Sequence, residues 1–427
     1  MYLVINLHIS NAKRKFMDQN RPAVKDRGST MKLLYASSFS FLVLSLLFLA
    51  PEQALCGLEG TDDLHKPRAD KTLLRGIDLL YNRQFRGAEQ LFRRVVAESP
   101  QRPAGYFYLS MVTWSRLAAG FWSSETVDEY KRRIDRAIDV AQARLDDEEA
   151  DSYDFFYLGG ALGFKGRFEL MGGNWLSSFF LATDAIDALK ACLKIDPDNR
   201  DVLLGIGTFD YYTARLSGVL KFLTYFLLHR GNKEEGMRKL NIAANEALYS
   251  ATEAKSVLLH IYLFLEEDFS KALSLSNELA ARYKENPRFK ILKGVSYIRL
   301  GMDPEYRKTV SELRNLGSES SGPEMSLIWE RRALYLESIY DLFHFRYLEA
   351  REKIKKVLEY QDPLNDPTMI AWPLIKLGMS YDLEGDRDQA KEYYDRVLNM
   401  KNGSGAQFLA EKLLKGPPKK GDPFLGY

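Results

Sequence analysis

A repeat of about 34 residues constrains the fold of this 427-residue chain more than any other feature. Its clearest copy spans residues 371–404 and reads AWPLIKLGMSYDLEGDRDQAKEYYDRVLNMKNGS. Gly378 and Tyr381 fall on one predicted helix, and Ala390 and Tyr394 fall on the next. The small residues let two antiparallel helices approach, and the large residues fill the space beside them. Such a period predicts a stack of helix pairs.

Further copies of the repeat cover most of residues 69–404. In the copy that begins at Ala69, Pro100 ends the second helix because proline cannot continue it. The corresponding small and large residues of that copy are Gly76, Phe85, Ala88 and Phe92. The pattern predicts about eight helical hairpins over 69–404, followed by a capping helix over 405–415 and a flexible tail over 416–427.

This order of small and large residues resembles the tetratricopeptide-repeat (TPR) family. The resemblance implies an all-α fold, a right-handed solenoid of antiparallel helix pairs, and a protein-binding role without catalysis. Residues 205–209 (GIGTF), an apolar stretch and the turn RGNKEEGMRKL are also similar to one branch of the superfamily. That branch contains the eukaryotic inclusion-body-clearance and mitochondrial-outer-membrane-associated TPR proteins. The similarity covers about residues 155–290 and implies no particular function.

Three units in the middle of the chain are too long for the repeat. The small residues of paired helices lie 12 positions apart at 76 and 88, but 27 apart at 110 and 137. The same spacing is 26 at positions 159 and 185 and 29 at positions 207 and 236. An excess near 14 residues adds about two turns to each helix of a pair. Residues 103–246 are therefore predicted to form three elongated hairpins.

The added residues of these three hairpins are aromatic and apolar. They read GFWSS at 120–124, LMGGNWLSSFF at 170–180 and RLSGVLKFLTYFLLHRGN at 215–232. Two interpretations remain open, a local second core or an apolar docking surface for a partner helix or a membrane face. Under the second interpretation, the candidate partner-binding residues are Trp122, Trp175, Phe179, Phe180 and Phe222.

TPR proteins bind their partners on the concave surface that successive first helices form. The resemblance implies further candidate partner-binding residues on that surface, Asp201 and Tyr211 in the fourth unit and Trp372 and Asp382 in the last. Core filling competes as an interpretation of the two aromatic residues. The two aspartates have no packing reason to occupy such positions, which favours a binding role for them.

The N-terminal region is predicted to direct export. Residues 33–50 form an apolar run after Met31 and Lys32, and Ala54 and Cys56 suit cleavage before Gly57. Residues 31–56 are therefore interpreted as a signal peptide, and residues 1–30 as untranslated or disordered. An uncleaved membrane anchor and a lipoprotein acylated at Cys56 remain as alternatives. The expected location is the periplasm or the cell envelope, with membrane association left open.

The sequence lacks the common motifs of catalytic, nucleotide-binding and metal-binding sites. It has no P-loop, dinucleotide fingerprint, HExxH, GxSxG or CxxC, and its five histidines form no helical metal pair. With 60 basic and 58 acidic residues, the charge balance favours no nucleic acid partner. We expect no enzyme activity, cofactor or metal. The expected function is a scaffold or adaptor that binds a peptide or protein, and the alternative is a membrane-peripheral structural protein anchored by the N-terminal helix or by residues 215–228.

Overall fold

The computed structural model describes residues 70–118, 122–146, 150–215, 231–319, 323–359 and 366–426. These ranges contain α-helices and no β-strand. The first eight helices, α1 to α8, are Lys71–Tyr81, Phe85–Glu98, Pro103–Ala118, Ser124–Leu145, Ser152–Met171, Trp175–Ile195, Val202–Ala214 and Lys233–Glu246. The next nine, α9 to α17, are Ala251–Phe264, Phe269–Arg282, Pro287–Leu300, Asp303–Ser318, Pro323–Phe343, Tyr347–Glu359, Thr368–Glu384, Arg387–Leu398 and Ala406–Lys415.

The helices pack as a two-layer array. Each helix contacts the next one along the chain, and each odd-numbered helix also contacts the following odd-numbered helix. The odd-numbered helices therefore form one continuous layer, which is called the inner face below, and the even-numbered helices cover it. This arrangement confirms the predicted all-α solenoid of helix pairs.

Local sequence signals start and stop these helices. The Asp70 carboxylate accepts hydrogen bonds from the backbone N–H groups of Thr72 and Leu73 at the start of α1. At the end of α15, Gly385 has φ +100°, a left-handed conformation that side chains rarely adopt. A lone glycine at that point thus ends the helix and makes the turn into α16.

The second and third units contain the longest consecutive helices. Helices α4, α5 and α6 have 22, 20 and 21 residues, whereas α9, α10 and α11 have 14 each. In the fourth unit, α7 and α8 have 13 and 14 residues. The added residues of that unit fall in 216–230, outside the described residues. Lengthened helices are thus observed in the second and third units.

The first helix also contacts the middle of the array. The Tyr81 ring lies 5.3 Å from Tyr283 and 6.4 Å from Phe289, both measured between ring centroids. The Arg282 guanidinium lies 3.2 Å from the Asp78 carboxylate, and the Asn286 amide donates to the Tyr81 carbonyl oxygen. The array therefore curves so strongly that its first unit packs on its fifth and sixth units.

The C-terminal tail does not follow the prediction of a flexible segment over 416–427. Residues Pro423–Gly426 form a 3₁₀ turn that contacts α9, α11 and α13 on the inner face. Leu425 is only 1% exposed. The prediction fails here because the short Phe-Leu pair finds an apolar seat that the local sequence of the tail does not reveal.

Candidate functional site

The inner face of the first five units is filled by aromatic side chains. The Tyr153 ring meets the Tyr249 ring edge-on at 5.8 Å, and Tyr108 meets Tyr157 in the same way at 6.0 Å. Tyr108 and Tyr157 are buried. Aromatic pairs in these geometries stabilise a core beyond their buried area. These four rings therefore form a second layer of core on this part of the inner face.

Asp201 belongs to this filled region, which corrects its assignment as a groove residue. Its carboxylate accepts hydrogen bonds from the backbone N–H groups of Tyr249 at 2.8 Å and Ser250 at 2.7 Å. The residue is 2% exposed. Burial raises the pKa of Asp201, and the two backbone donors oppose that rise. Its polar side chain thus has a structural purpose, which is to join the start of α9 to the start of α7.

His260 lies on α9 between two arginines of the inner face. Its Nδ1 donates a 2.8 Å hydrogen bond to the Ser256 carbonyl oxygen, which leaves Nε2 as an acceptor 3.4 Å from the Arg288 guanidinium. Burial lowers the pKa of His260 to about 3, and the positive charges of Arg288 and Arg167 add to that effect. The imidazole is therefore neutral at neutral pH and is held by two hydrogen bonds.

The inner face of the later units binds the C-terminal tail. The Phe424 ring stacks on Phe264 of α9 at 6.1 Å and on Trp372 of α15 at 6.3 Å, with interplanar angles of 13° and 20°. Burial of a Phe or Leu side chain contributes about 1.5–3 kcal/mol. Phe264, Arg299, Trp372 and Lys376 are called the tail-binding groove below.

Lys376 is a buried amine at the floor of the groove. The side chain is 0% exposed, and Nζ donates a hydrogen bond to the main-chain oxygen of Phe424. The pKa of Lys376 is lowered to about 7, mainly by burial; Asp422 opposes this change and Arg299 favours it. Lys376 thus recognises the backbone of the tail, whatever side chain that residue carries.

Arg299 lies beside the end of the tail. A Cβ atom added to Gly426 would lie 2.9 Å from Arg299 Cδ, so the backbone of the tail passes directly over the guanidinium stem. Arg299 also binds Glu267 at 3.2 Å, and its guanidinium lies 4.4 Å above the Phe269 ring. Its Nη1 atom is buried and has no hydrogen-bond partner among the described residues.

The structure places the other three predicted inner-face residues in different environments. Trp372 lies in the tail-binding groove, where the prediction placed a partner. Tyr211 is fully buried and its hydroxyl donates to Glu266, so it is a core residue instead. The Asp382 side chain is 1% exposed, pairs with Arg387 at 2.7 Å and accepts from the Tyr394 hydroxyl at 2.8 Å. Both assignments are corrected, because the Tyr211 hydroxyl bonds to Glu266 of the fifth unit and the Asp382 carboxylate is bound within its own unit.

Some aromatic residues of the elongated hairpins pack against other rings, and others are half-buried. The Trp122 ring stacks on Phe168 at 6.5 Å, and Phe168 in turn packs 4.9 Å from buried Tyr130. Phe179 and Phe180 meet edge-on at 5.8 Å and are half-buried. Trp175 begins α6, and Phe222 lies outside the described residues. The docking role of these residues stays a prediction, as does the choice between second core and docking face.

Sequence reasoning missed three of the four groove residues, Phe264, Arg299 and Lys376. Lys376 carried a weak signal, since it interrupts the apolar run that precedes Gly378. Phe264 and Arg299 lie on two other units and are brought to Lys376 only by the curvature of the array. Their sequence context gave no sign of a shared site.

Metal and membrane features are limited in the described part of the chain. No group of three or more His, Cys, Asp or Glu residues there could hold a metal ion. None of the helices within the described ranges combines the length and apolar character needed to cross a bilayer. The predicted signal peptide, Cys56, and the apolar residues 216–228 all lie outside those ranges.

Comparison with known proteins gives a family for the repeat. Residues 374–400 match the family model described as a tetratricopeptide repeat. Repeats of this family serve as protein-binding scaffolds, and the match indicates that class of function for this chain. No curated protein matches the chain.

Several solved structures resemble the chain at low identity. A monomeric mutant of IFIT1 with Gppp-AAAA shares 12% identity at a TM-score of 0.41, covering 77% of this chain and 68% of that one. Yeast Tom70 shares 11% at a TM-score of 0.34, covering 80% and 88%. The TPR domain of P58(IPK) shares 15% at a TM-score of 0.21, covering 81% and 98%.

Proposed function

We propose that this tetratricopeptide-repeat protein is a non-catalytic scaffold that binds a partner protein in the tail-binding groove of its inner face. One observation carries the proposal, which is that the groove already holds a peptide segment, residues 422–426 of the chain itself. Stacked rings hold the side chain of Phe424, and Lys376 holds its main-chain oxygen. A surface that seats one peptide in this way has the chemistry to seat another.

The envelope is the proposed site of action. The support is the sequence of residues 31–56, with a basic start, an apolar stretch and small residues at a cleavage position. The partner would then be an envelope or secreted protein. No nucleic acid partner is proposed, because basic and acidic residues nearly balance over the chain.

Photo-crosslinking from inside and outside the array tests the proposal. p-Benzoylphenylalanine replaces Trp372 in one chain and Leu348, a 63% exposed residue of α14, in the matched control. We expect a discrete adduct from position 372 in cells that express the full chain, and no such adduct from position 348. Equal adduct patterns from both positions, or none from position 372, would count against binding at this groove.

A further inference from the structure

We propose that the tail-binding groove recognises a partner segment with the chemistry of this chain's own tail, and that residues 422–426 compete with that partner for the groove. The recognised pattern is an acidic residue followed two positions later by a Phe-Leu pair. The proposal rests on the function proposed above and specifies the ligand of the same site.

Aromatic stacking selects the phenylalanine. The Phe424 ring lies nearly parallel to two partners on different units, at 13° to Phe264 and 20° to Trp372. Only a flat ring can make both contacts at once, and an aliphatic side chain of similar volume loses the stacking contribution. Leu425, which is 1% exposed, packs in the apolar cluster that includes α13 and α15 residues. The pair therefore supplies two anchors on adjacent positions.

Polar contacts select the acidic residue and fix the register. The Asp422 carboxylate accepts from the Phe424 backbone N–H at 2.9 Å, which shapes the turn, and lies 3.7 Å from Lys412 Nζ. Lys376 donates to the Phe424 main-chain oxygen. A segment without the acidic residue loses both the turn contact and the ion pair. Its Phe and Leu side chains are then less well positioned for their binding sites in the groove, and its affinity is lower.

Arg299 gives a partner a means to displace the tail. Its side chain is 8% exposed, and Nη1 finds no acceptor among the described residues while the tail is bound. A buried donor without an acceptor is costly. A partner segment that places a hydrogen-bond acceptor next to the position of Gly426 satisfies this donor. Such a segment should bind the groove more tightly than the described residues of the tail do.

The tether makes the tail an effective competitor. A segment on a short linker has an effective concentration on the order of millimolar at its own site. The residues between α17 and the turn form such a linker. A free partner segment therefore binds the intact chain more weakly than it binds a chain whose tail has lost its anchors.

The test measures binding of an N-terminally fluorescein-labelled peptide of residues 421–426, Gly-Asp-Pro-Phe-Leu-Gly, to full-length chains. The double variant Phe424→Ala, Leu425→Ala should bind the peptide about tenfold or more tightly than the wild type does. Adding Trp372→Ala to that variant should abolish binding, and so should Ala in place of Phe in the peptide. Phe408→Ala, a 55% exposed aromatic on α17, is the matched control and should bind like the wild type.

A second measurement uses the wild-type chain alone, so it does not depend on how the variant folds. Saturating unlabelled peptide, which contains no lysine, should accelerate tryptic cleavage at Lys419 and Lys420 because it releases the tail. Equal affinity of wild type and double variant, or cleavage that the peptide leaves unchanged, would overturn the proposal. So would a wild-type dimer that the double variant converts to monomer, because a second copy's tail would then fill the groove.

The two proposals fail in different ways. If position 372 crosslinks a partner while the Gly-Asp-Pro-Phe-Leu-Gly peptide does not bind, the groove is a binding site but its ligand differs from the tail. If the peptide binds and position 372 crosslinks no partner, the groove is reserved for the tail and the proposed function fails.

Discussion

The Tyr81 hydroxyl donates a 2.9 Å hydrogen bond to the Glu253 carboxylate, which lies 172 residues later in the chain. The bond joins α1 to α9 across the inner face. Burial and the adjacent Glu253 carboxylate raise the pKa of Tyr81 well above its ordinary value, so the phenol stays protonated and donates. Solenoid units ordinarily contact only their neighbours, and this contact instead couples the first unit to the fifth.

Tyr81→Phe should therefore destabilise the whole array. The change removes only the hydroxyl and leaves a part-buried carboxylate with one donor fewer, which costs about 1–2 kcal/mol. Urea unfolding followed by circular dichroism measures the loss. Tyr212→Phe, whose residue is 42% exposed, is the control and should change stability by less than about 0.5 kcal/mol. Equal effects of the two variants would show that the bond to Glu253 does not stabilise the closure.

Helix packing within the third unit can be tested at two glycines of α5. A Cβ atom at Gly159 would lie 2.7 Å from two Leu189 side-chain atoms and 3.0 Å from the Ala185 carbonyl oxygen, whereas a Cβ at Gly163 meets nothing closer than 4.0 Å. Gly159→Ala should cost about 1–3 kcal/mol through overpacking. Gly163→Ala should be neutral or stabilising by up to about 1 kcal/mol, since alanine favours a helix. Thermal unfolding of both variants measures the contrast, and similar melting temperatures would contradict it.

Substitutions at Asp201 can distinguish a structural role of this residue from a role in partner binding. Asp201→Ala leaves the backbone N–H groups of Tyr249 and Ser250 without their acceptor, and we expect a loss of about 2–4 kcal/mol in urea unfolding. Asp201→Asn keeps an acceptor oxygen and removes a buried charge, so it should remain within about 1 kcal/mol of the wild type. A stable Asp201→Ala variant that fails to bind the partner would instead support the role predicted from the sequence.

The repeat pattern predicted the helix pairs because their packing is local. Gly76 packs against Phe92, and Gly378 packs against Tyr394, within one hairpin, so a short stretch of sequence determines each contact. The same pattern misassigned Asp201 and Tyr211, because contacts with the start and end of the next unit's first helix bury them. It misassigned Asp382 because Arg387 and Tyr394 of the same hairpin bind that carboxylate. Closure depends on curvature summed over many units, which no single repeat encodes.

The candidate site depends on the same long-range curvature. Trp372 was predicted from its position in the last repeat, whereas Phe264 and Arg299 come from units that begin more than 70 residues earlier. The tail Asp-Pro-Phe-Leu-Gly has too few residues to form an element of its own. Its seat exists only after α9, α11 and α15 have packed together, so the sequence of the tail alone indicated a flexible end.

His260 should make the fold sensitive to acid. Its pKa is about 3 in the folded chain and about 6.5 in the unfolded chain, so the unfolded chain binds more protons between those values. The free energy of unfolding must then fall as pH drops from about 6.5 towards 3. In His260→Gln this contribution is absent, and the stability difference between wild type and variant should shrink with falling pH. Urea unfolding at pH 7, 5.5 and 4.5 measures it; a difference independent of pH would contradict the assignment.

Lys376 should make the stability of the fold depend on pH above neutrality, where His260 has no effect. Its pKa is about 7 in the folded chain with the tail bound, against about 10.4 when unfolded, because burial, aided by Arg299, opposes the charge more than Asp422 supports it. The unfolded chain therefore binds more protons between about pH 7 and 10, and the free energy of unfolding rises with pH across that window.

Two variants isolate this contribution of Lys376. Lys376→Met lacks the titrating amine, so the wild type should gain stability relative to it when urea unfolding is compared at pH 7, 8 and 9. Lys376→Arg retains a guanidinium that cannot lose its charge, and it should be less stable than the wild type, with the gap widening as pH rises. A wild-type advantage that stays constant or declines between pH 7 and 9 would mean that the buried amine does not release its proton on folding.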